Sequence, residues 1–217
     1  MQTQNPESPG SAATFVADER RARALIGGAW SDSGARFATT DPFRGVVIGN
    51  GPESGPEEVA AAVAAARRAA AAVASAPARE RAALLRRAAA TIAERREDLA
   101  RTMAQETGKA IRDAIREVDR SAETTEISAE EAVRIEGAHI PMEATAQGAG
   151  KLGVVMRFPV GVIAAITPYN APLNLACHKI GPAIAAGNSV VLKPAVPASV
   201  TVHKLVEAFR DAGLPAG

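Results

Sequence analysis

The sequence predicts an α/β fold in which N-terminal strands and helices lead to one βαβ unit. Residues 160–166 form a short continuous apolar run, and residues 189–194 are centred on another, so each is predicted to be a buried strand. Between them, the apolar residues of 173–184 recur at helical spacing, and Gly187 supplies a left-handed stop. Strand, helix and strand in this order predict parallel strands with a right-handed crossover, whose ligands bind at the carboxyl ends of the strands.

Composition narrows the class of protein. The 217 residues can bury roughly 70% of the unfolded surface, in one large or two small domains. A net charge of +1 argues against nucleic-acid or anionic membrane partners. The single cysteine excludes an internal disulfide, and no apolar run approaches the roughly 18 residues of a membrane span. We therefore expect a cytoplasmic protein.

The N-terminal region begins with a polar segment without periodicity, residues 1–19, which we predict to be a disordered tail. Residues 24–30 and 36–40 are then predicted to form two strands around a turn at residues 31–34. After a second turn, a further strand is predicted at residues 46–48.

Three helices are predicted next. The first begins at Pro56 and ends near Ser75, with acidic residues in its first turn. The second follows Pro77 and carries an apolar stripe as far as residue 107, and the third runs over residues 109–136. The many Glu and Arg side chains of these helices are interpreted as solvated faces rather than as a catalytic cluster.

After Gly137 the pattern changes from helical to extended. Residues 139–141 and 151–157 are predicted to form a hairpin joined by a Gly- and Ala-rich link, and residues 200–211 a final amphipathic helix. A parallel unit of two strands would leave unpaired strand edges.

Several short motifs occur together in an order and spacing typical of one enzyme superfamily. They are residues 27–30 (GGAW), 41–42 (DP), 106–109 (ETGK), 159–162 (PVGV), 167–170 (TPYN), 181–183 (GPA), 186–188 (AGN), 191–194 (VLKP) and 212–215 (AGLP). On these motifs the chain resembles the aldehyde dehydrogenase superfamily over about residues 22 to 217.

The resemblance implies a division of the chain. Residues 20–137 would form the N-terminal strands and helical scaffold, residues 138–158 a bridging β-hairpin used in oligomerisation, and residues 159–217 the first βαβ unit of a parallel-sheet nucleotide-binding domain. The resemblance also implies that the complete protein is a homo-oligomer, either a dimer or a tetramer.

The activity implied by the resemblance is NAD(P)-dependent oxidation of an aldehyde to a carboxylic acid through a thioester. In the family, the nucleophilic cysteine, the general-base glutamate and the turn that holds the cofactor pyrophosphate lie further along than residue 217. The chain as given is therefore expected to be inactive alone. Two alternatives stay open: a non-catalytic nucleotide-binding or assembly module, and a relative that reduces activated acyl groups.

Asn170 is the predicted catalytic residue. Acyl transfer through a tetrahedral intermediate needs a neutral, aimed hydrogen-bond donor, which an amide supplies without a titrating charge. From spacing alone, a turn or near-cap asparagine is the favoured interpretation. The resemblance favours the first role, because this is the position of the family's oxyanion-stabilising asparagine.

Lys193 is the central residue of the predicted cofactor site, although a strand-end lysine can also simply extend into solvent. The resemblance assigns Ile166, Thr167, Pro168, Tyr169, Lys193, Ala195 and Val196 to cofactor binding. No acidic residue follows Lys193 to hold a ribose or repel a 2′-phosphate, so either NAD or NADP is expected. The chain has no G-x-G-x-x-G phosphate loop.

The substrate is expected to contact one face of the helix after Asn170. The predicted lining residues are Ala171, Asn174, Leu175 and His178. Small and polar groups there favour a short hydroxylated or anionic aldehyde over a fatty or aromatic one, although His178 could equally be a structural histidine. Cys177, on the apolar side, is interpreted as an inert core thiol. Three scattered histidines give no metal-binding spacing.

Overall fold

The computed structural model describes residues 20–32 and 34–216, so the tail predicted at residues 1–19 lies outside the described residues. The strands are β1 (Ala24–Ile26), β2 (Ala29–Ser31), β3 (Arg36–Asp41), β4 (Val46–Pro52), β5 (Ala138–Ile140), β6 (Gly153–Val155), β7 (Val162–Ile166) and β8 (Ser189–Lys193). The helices are α1 (Pro56–Ser75), α2 (Ala78–Glu94), α3 (Arg96–Thr107), α4 (Ile111–Ala132), α5 (Pro172–Ala185) and α6 (Ser199–Asp211).

The N-terminal strands form two antiparallel hairpins, β1–β2 and β3–β4. The prediction of a single strand over residues 24–30 is wrong, because Gly27 and Gly28 turn the chain with φ of 59° and 82°. The turn before β4 was predicted correctly. There the Asp41 carboxylate accepts from the backbone N–H groups of Phe43 and Arg44 at 2.9 and 3.1 Å.

Helix α1 begins at Pro56 and ends at Ser75, as the sequence predicted. The single helix predicted as far as residue 107 is wrong, since the chain bends at Arg95 between α2 and α3. No proline or glycine marks this bend, so the pattern alone could not reveal it. No single described helix is long and apolar enough to cross a membrane, and one bent pair, α1 with α2, reaches that threshold by length and composition only.

One hydrophobic core joins α2, α3, α4, α5 and α6. Its largest fully buried side chains include Leu85, Ile92, Leu99, Met103, Leu173, Leu205 and Phe209. Helix α5 approaches α4 so closely at Gly181 that an added Cβ would lie 2.5 Å from Ser128 Oγ. The helix of the βαβ unit is therefore packed directly on the scaffold.

Strands β7 and β8 are parallel, with Ile166 paired with Lys193 at their carboxyl ends. The predicted βαβ unit and the α/β class are thus confirmed. The expectation that both strands are buried is wrong for the described chain. The face that carries Ala164 and Ile166 is exposed, and Ile166 retains 68% of its accessible surface.

The predicted hairpin after Gly137 is present as β5 and β6, which pair antiparallel with His139 opposite Val154. The link between them contains two 3₁₀ turns, Met142–Ala144 and Ala146–Gly148. Around and after this hairpin, large apolar side chains are exposed, with Leu152 at 78% and Phe158 at 73% of their full surface.

Candidate functional site

The carboxyl ends of β7 and β8 bring the predicted polar groups to one edge of the sheet. The Thr167 N–H donates to the Lys193 carbonyl at 3.2 Å, which continues the ladder one residue past the strands. Beyond it, Pro168, Tyr169 and Asn170 form an exposed turn that leads into α5. This edge of the sheet, with residues 166–170 and 193–196, is called the rim below.

Asn170 is fixed at its backbone and exposed at its side chain. Its carbonyl accepts a hydrogen bond of 2.8 Å from the Nζ atom of Lys109, which lies in the loop between α3 and α4. Within residues 20–32 and 34–216, no group hydrogen-bonds the Asn170 side-chain amide. Its two N–H donors therefore stay available to an external acceptor.

Glu117 of α4 holds the beginning of α5. One of its oxygens accepts from the backbone N–H groups of Leu173 and Asn174 at 3.0 and 3.2 Å, and the other pairs with Lys109. The residue before α5 is Ala171, which has no side-chain acceptor for these N–H groups. A carboxylate from another helix therefore caps α5, and its negative charge suits the positive end of that helix.

Glu106, the last-turn glutamate of α3, caps α6 in the same manner. Its two oxygens accept from the backbone N–H groups of Val200 and Thr201 at 2.9 and 2.7 Å, and the Thr201 hydroxyl adds a bond of 2.5 Å. Burial raises the pKa of Glu106 above its ordinary value, and these hydrogen bonds oppose the rise. The residue before α6, Ala198, again supplies no local cap.

These two caps are exceptions to the interpretation of the Glu and Arg side chains of the scaffold helices as solvated faces. Glu106 and Glu117 are 3% and 4% exposed. Sequence reasoning missed them, yet two signals were present: both capped helices follow an alanine, and Glu106 and Lys109 begin and end the ETGK motif. That motif links the scaffold to α6 through Glu106 and to the turn before α5 through Lys109.

The predicted cofactor residues line the rim. Ile166, Pro168, Tyr169, Lys193 and Val196 are exposed there, and Ala195 is half-buried. Lys193 forms no ion pair with any residue of the described chain. The ammonium of Lys193 is therefore free to donate hydrogen bonds to an anionic or hydroxylated ligand, such as a nucleotide.

Thr167 differs from its neighbours on the rim because its side chain is buried. Its hydroxyl has no hydrogen-bond partner among the described residues. Buried polar atoms in folded proteins are usually hydrogen-bonded. A buried hydroxyl without a partner is therefore a position where a ligand or a further segment can complete the packing.

The predicted substrate residues divide into two groups. Ala171 and Leu175 are half-buried and His178 is exposed, on the outer face of α5. The expectation for Asn174 is corrected, because it is 1% exposed and faces α4. With its amide oriented to satisfy both neighbours, its NH₂ donates to the Thr124 hydroxyl at 3.0 Å and its oxygen accepts from Arg120 Nη2 at 3.1 Å.

The remaining polar residues form no second reactive cluster in the described chain. Burial raises the pKa of the Cys177 thiol to about 12. His203 packs against Trp30 with ring centroids 4.5 Å apart. Among the described residues, no three His, Cys, Asp or Glu side chains are grouped so as to hold a metal ion.

Together, the fold and the rim define an α/β protein whose candidate ligand site is the edge at the carboxyl ends of its parallel strands, next to an exposed amide. Residues 30–217 match the model of the aldehyde dehydrogenase family. The chain therefore belongs to the aldehyde dehydrogenase family.

Two curated relatives illustrate the similarity. The chain is 50% identical over 126 residues to the 3-sulfolactaldehyde dehydrogenase of Priestia aryabhattai, covering 58% of this chain and 26% of that protein. It is 41% identical over 199 residues to the glutarate-semialdehyde dehydrogenase of Pseudomonas putida, covering 91% of this chain and 41% of that protein. The chain thus spans well under half the length of the relatives it matches.

Among solved structures, the chain is similar to the NADP-dependent glyceraldehyde-3-phosphate dehydrogenase of Bacillus halodurans C-125, which was crystallised with NADP. The identity is 38% and the TM-score 0.87, with 90% of this chain and 42% of that chain covered. The predicted fold class is confirmed by this agreement.

Proposed function

We propose that the chain is the N-terminal part of an NAD(P)-dependent dehydrogenase that oxidises a short, anionic aldehyde to its carboxylic acid. The observation that carries the proposal is the Asn170 amide, exposed on a turn whose backbone is held in place by Lys109. Family membership supports the reaction type, and the exposed polar groups of the rim support a role for this edge of the sheet.

Asn170 would stabilise the oxyanion. As a thiolate from elsewhere in the complete enzyme adds to the aldehyde carbon, the carbonyl oxygen gains negative charge, and the amide N–H groups would donate to it. A neutral donor is suited to this task because its preorganised dipole needs no proton transfer. The chemistry of the bound nicotinamide is the acceptance of a hydride.

Lys193 and the exposed rim would bind the cofactor. Its ammonium can donate to ribose hydroxyls or to a 2′-phosphate, and the next exposed side chain, Val196, carries no charge that would repel that phosphate. We therefore propose that NADP is accepted as well as NAD. Val196→Glu should lower kcat/KM with NADP by about tenfold or more while changing the value with NAD far less, because like charges within a few ångströms repel.

The relatives' names support the anionic substrate. They specify substrates with three different anions, a sulfonate, a carboxylate and a phosphate. A long apolar tunnel is not needed for such short molecules, which agrees with the small Ala171 and the polar His178 on the outer face of α5. The imidazole N–H of His178 would donate to the anionic end of the substrate.

The test is an assay of the whole gene product with 3-sulfolactaldehyde, glutarate semialdehyde and decanal, each with NAD and NADP. We expect the two anionic aldehydes to have the higher kcat/KM. Asn170→Ala should lower kcat by about 10²- to 10³-fold, the usual loss for one oxyanion donor, with little change in cofactor KM. A higher kcat/KM for decanal would overturn the substrate class, and an unchanged kcat for Asn170→Ala would overturn the role of the amide.

The same gene product separates this proposal from a non-catalytic module and from a reductase of acyl groups. The denatured mass from native cells comes first, because a mass near 22.3 kDa would favour a binding or assembly module. A heavier protein that reduces acyl-CoA but oxidises no aldehyde would favour the reductase.

A further inference from the structure

We propose that Lys109 and Glu117 are positioning residues that fix the Asn170 turn, and with it the direction in which the Asn170 amide donates. The inference rests on the proposed function of Asn170. Both residues bind backbone atoms of the turn and of the beginning of α5, so each would act on the Asn170 amide through the backbone.

Two contacts hold the turn, one at the Asn170 carbonyl and one at the beginning of α5. Lys109 Nζ donates to the Asn170 carbonyl at 2.8 Å. Glu117 Oε1 accepts from the backbone N–H groups of Leu173 and Asn174. Lys109 and Glu117 are also paired with each other. The carbonyl carbon of Asn170 is therefore tied to α4, and only two side-chain torsions separate that fixed backbone from the amide.

A capping role alone does not account for the lysine. Glu106 caps α6 with both carboxylate oxygens on groups of that helix, and among residues 20–32 and 34–216 no lysine hydrogen-bonds it to the preceding turn. The ammonium of Lys204, whose charge acts on Glu106, hydrogen-bonds to Asp98 and Thr102 instead. At Glu117 one oxygen caps the helix, while the other holds the lysine that reaches Asn170.

The buried environment makes this arrangement stiff. The side chain of Glu117 is 4% exposed and that of Lys109 is 21% exposed, so both charges depend on each other for compensation. A misplacement of about 1 Å in a catalytic donor can cost on the order of 10²-fold in rate. Loosening the turn should therefore affect catalysis more than binding.

The experiment compares Lys109→Met and Glu117→Gln with Glu106→Gln in the whole gene product. Glu106→Gln is the matched control, since it disturbs a buried helix cap of the same kind without touching the Asn170 turn. We expect Lys109→Met to lower kcat by about 10- to 100-fold with KM for cofactor within about twofold, and Lys109→Arg to restore part of the rate. Glu106→Gln should lower thermal stability and leave kcat within about threefold.

A double-variant comparison separates positioning from general damage. If Lys109 acts through Asn170, adding Lys109→Met to Asn170→Ala should change kcat by less than about twofold, because the interaction has already been removed. If the two losses multiply, or if Glu106→Gln lowers kcat as much as Lys109→Met, the positioning role is refuted.

A readout without activity keeps the inference testable on its own. Lys109→Met should speed backbone hydrogen exchange in residues 167–174 more than in α6, and Glu106→Gln should do the reverse. Equal exchange in residues 167–174 for wild type and Lys109→Met would overturn the inference. Wild-type protein that exchanges as expected but oxidises no aldehyde would refute the proposed function alone.

Discussion

Burial separates the reactive side chains of this chain from the inert ones. Cys177 is fully buried in α5, and its thiol lies against the hydroxyls of Thr125 and Ser121. Burial raises its pKa to about 12 despite these hydroxyls. Since the thiolate is the nucleophilic form, Cys177 is unreactive at neutral pH although it is the only cysteine in the sequence.

Cys177→Ala should accordingly leave kcat of the whole gene product within about twofold and cost about 1 kcal/mol of stability for the lost sulfur contacts. Native protein should react with a thiol reagent at pH 8 at least about 10²-fold more slowly at this residue than unfolded protein. Loss of all acylation in a folded Cys177→Ala variant would contradict this assignment.

His203 is another buried titratable residue outside the rim. Its ring packs on Trp30, and its Nε2 lies 3.4 Å from the Glu207 carboxylate. The charged groups that face it are Glu207, Arg23 and Arg210. Burial lowers the pKa of His203 below its ordinary 6.5, against the opposing effect of Glu207, so the fold favours the neutral ring.

A depressed histidine pKa contributes stability that is complete above the unfolded pKa of 6.5 and is lost as the pH falls through the folded pKa. We therefore expect the free energy of unfolding to fall from about pH 7.5 to about pH 5.5 more steeply in wild type than in His203→Gln. Urea denaturation at several pH values measures both slopes. Parallel slopes would mean that His203 has the same pKa in the folded and unfolded protein.

At the scale of elements, local patterns predicted what local interactions determine. Helix α1 and the βαβ unit were predicted from their apolar spacing and their Pro and Gly residues. The bend at Arg95 and the hairpin at residues 27–28 follow from packing and from two glycines inside an otherwise strand-like run. The caps were missed because Glu117 and Leu173 are 56 residues apart, and a single sequence carries no direct signal for such a contact.

The contact between α4 and α5 at Gly181 gives a prediction for these elements. Gly181→Val would place its side chain on Ser128, where even a Cβ would meet the Ser128 Cβ at 3.0 Å. Overpacking of this kind typically costs about 1–3 kcal/mol. Thermal or urea denaturation should show that loss, and adding Ser128→Gly should recover part of it. A Gly181→Val variant as stable as wild type would show that the two helices can separate without cost.

At the scale of the whole molecule, several large apolar side chains are exposed around one hairpin of the described chain. The exposed residues around the β5–β6 hairpin are Ile140, Leu152, Val154, Val155, Met156, Phe158 and Val160. Contiguous apolar patches of this kind are typical of protein interfaces. The bridging role and the homo-oligomer stay predictions, and so do the division at residues 138 and 159 and the cytoplasmic location.

If the hairpin joins subunits, Leu152→Glu with Phe158→Glu should shift the whole gene product toward monomers, because each charge would have to be buried at the interface. Phe43→Glu is the control, since Phe43 is 91% exposed on the turn between β3 and β4, away from the hairpin. Sedimentation measures the masses. An unchanged oligomer in the double variant would exclude the hairpin as its main interface.

The two glutamate caps also bear on how such a protein can be recombined. A boundary at residue 159 is natural in the sequence, but Glu106 and Glu117, which hold the beginnings of α6 and α5, lie before it. If residues 159–217 were exchanged between relatives at that point, the beginnings of α5 and α6 would meet the carboxylates of another scaffold, or no carboxylates at all. Chimeras should therefore tolerate the exchange best when residues 106–117 travel with residues 159–217, so that each helix keeps the acceptor that fits it.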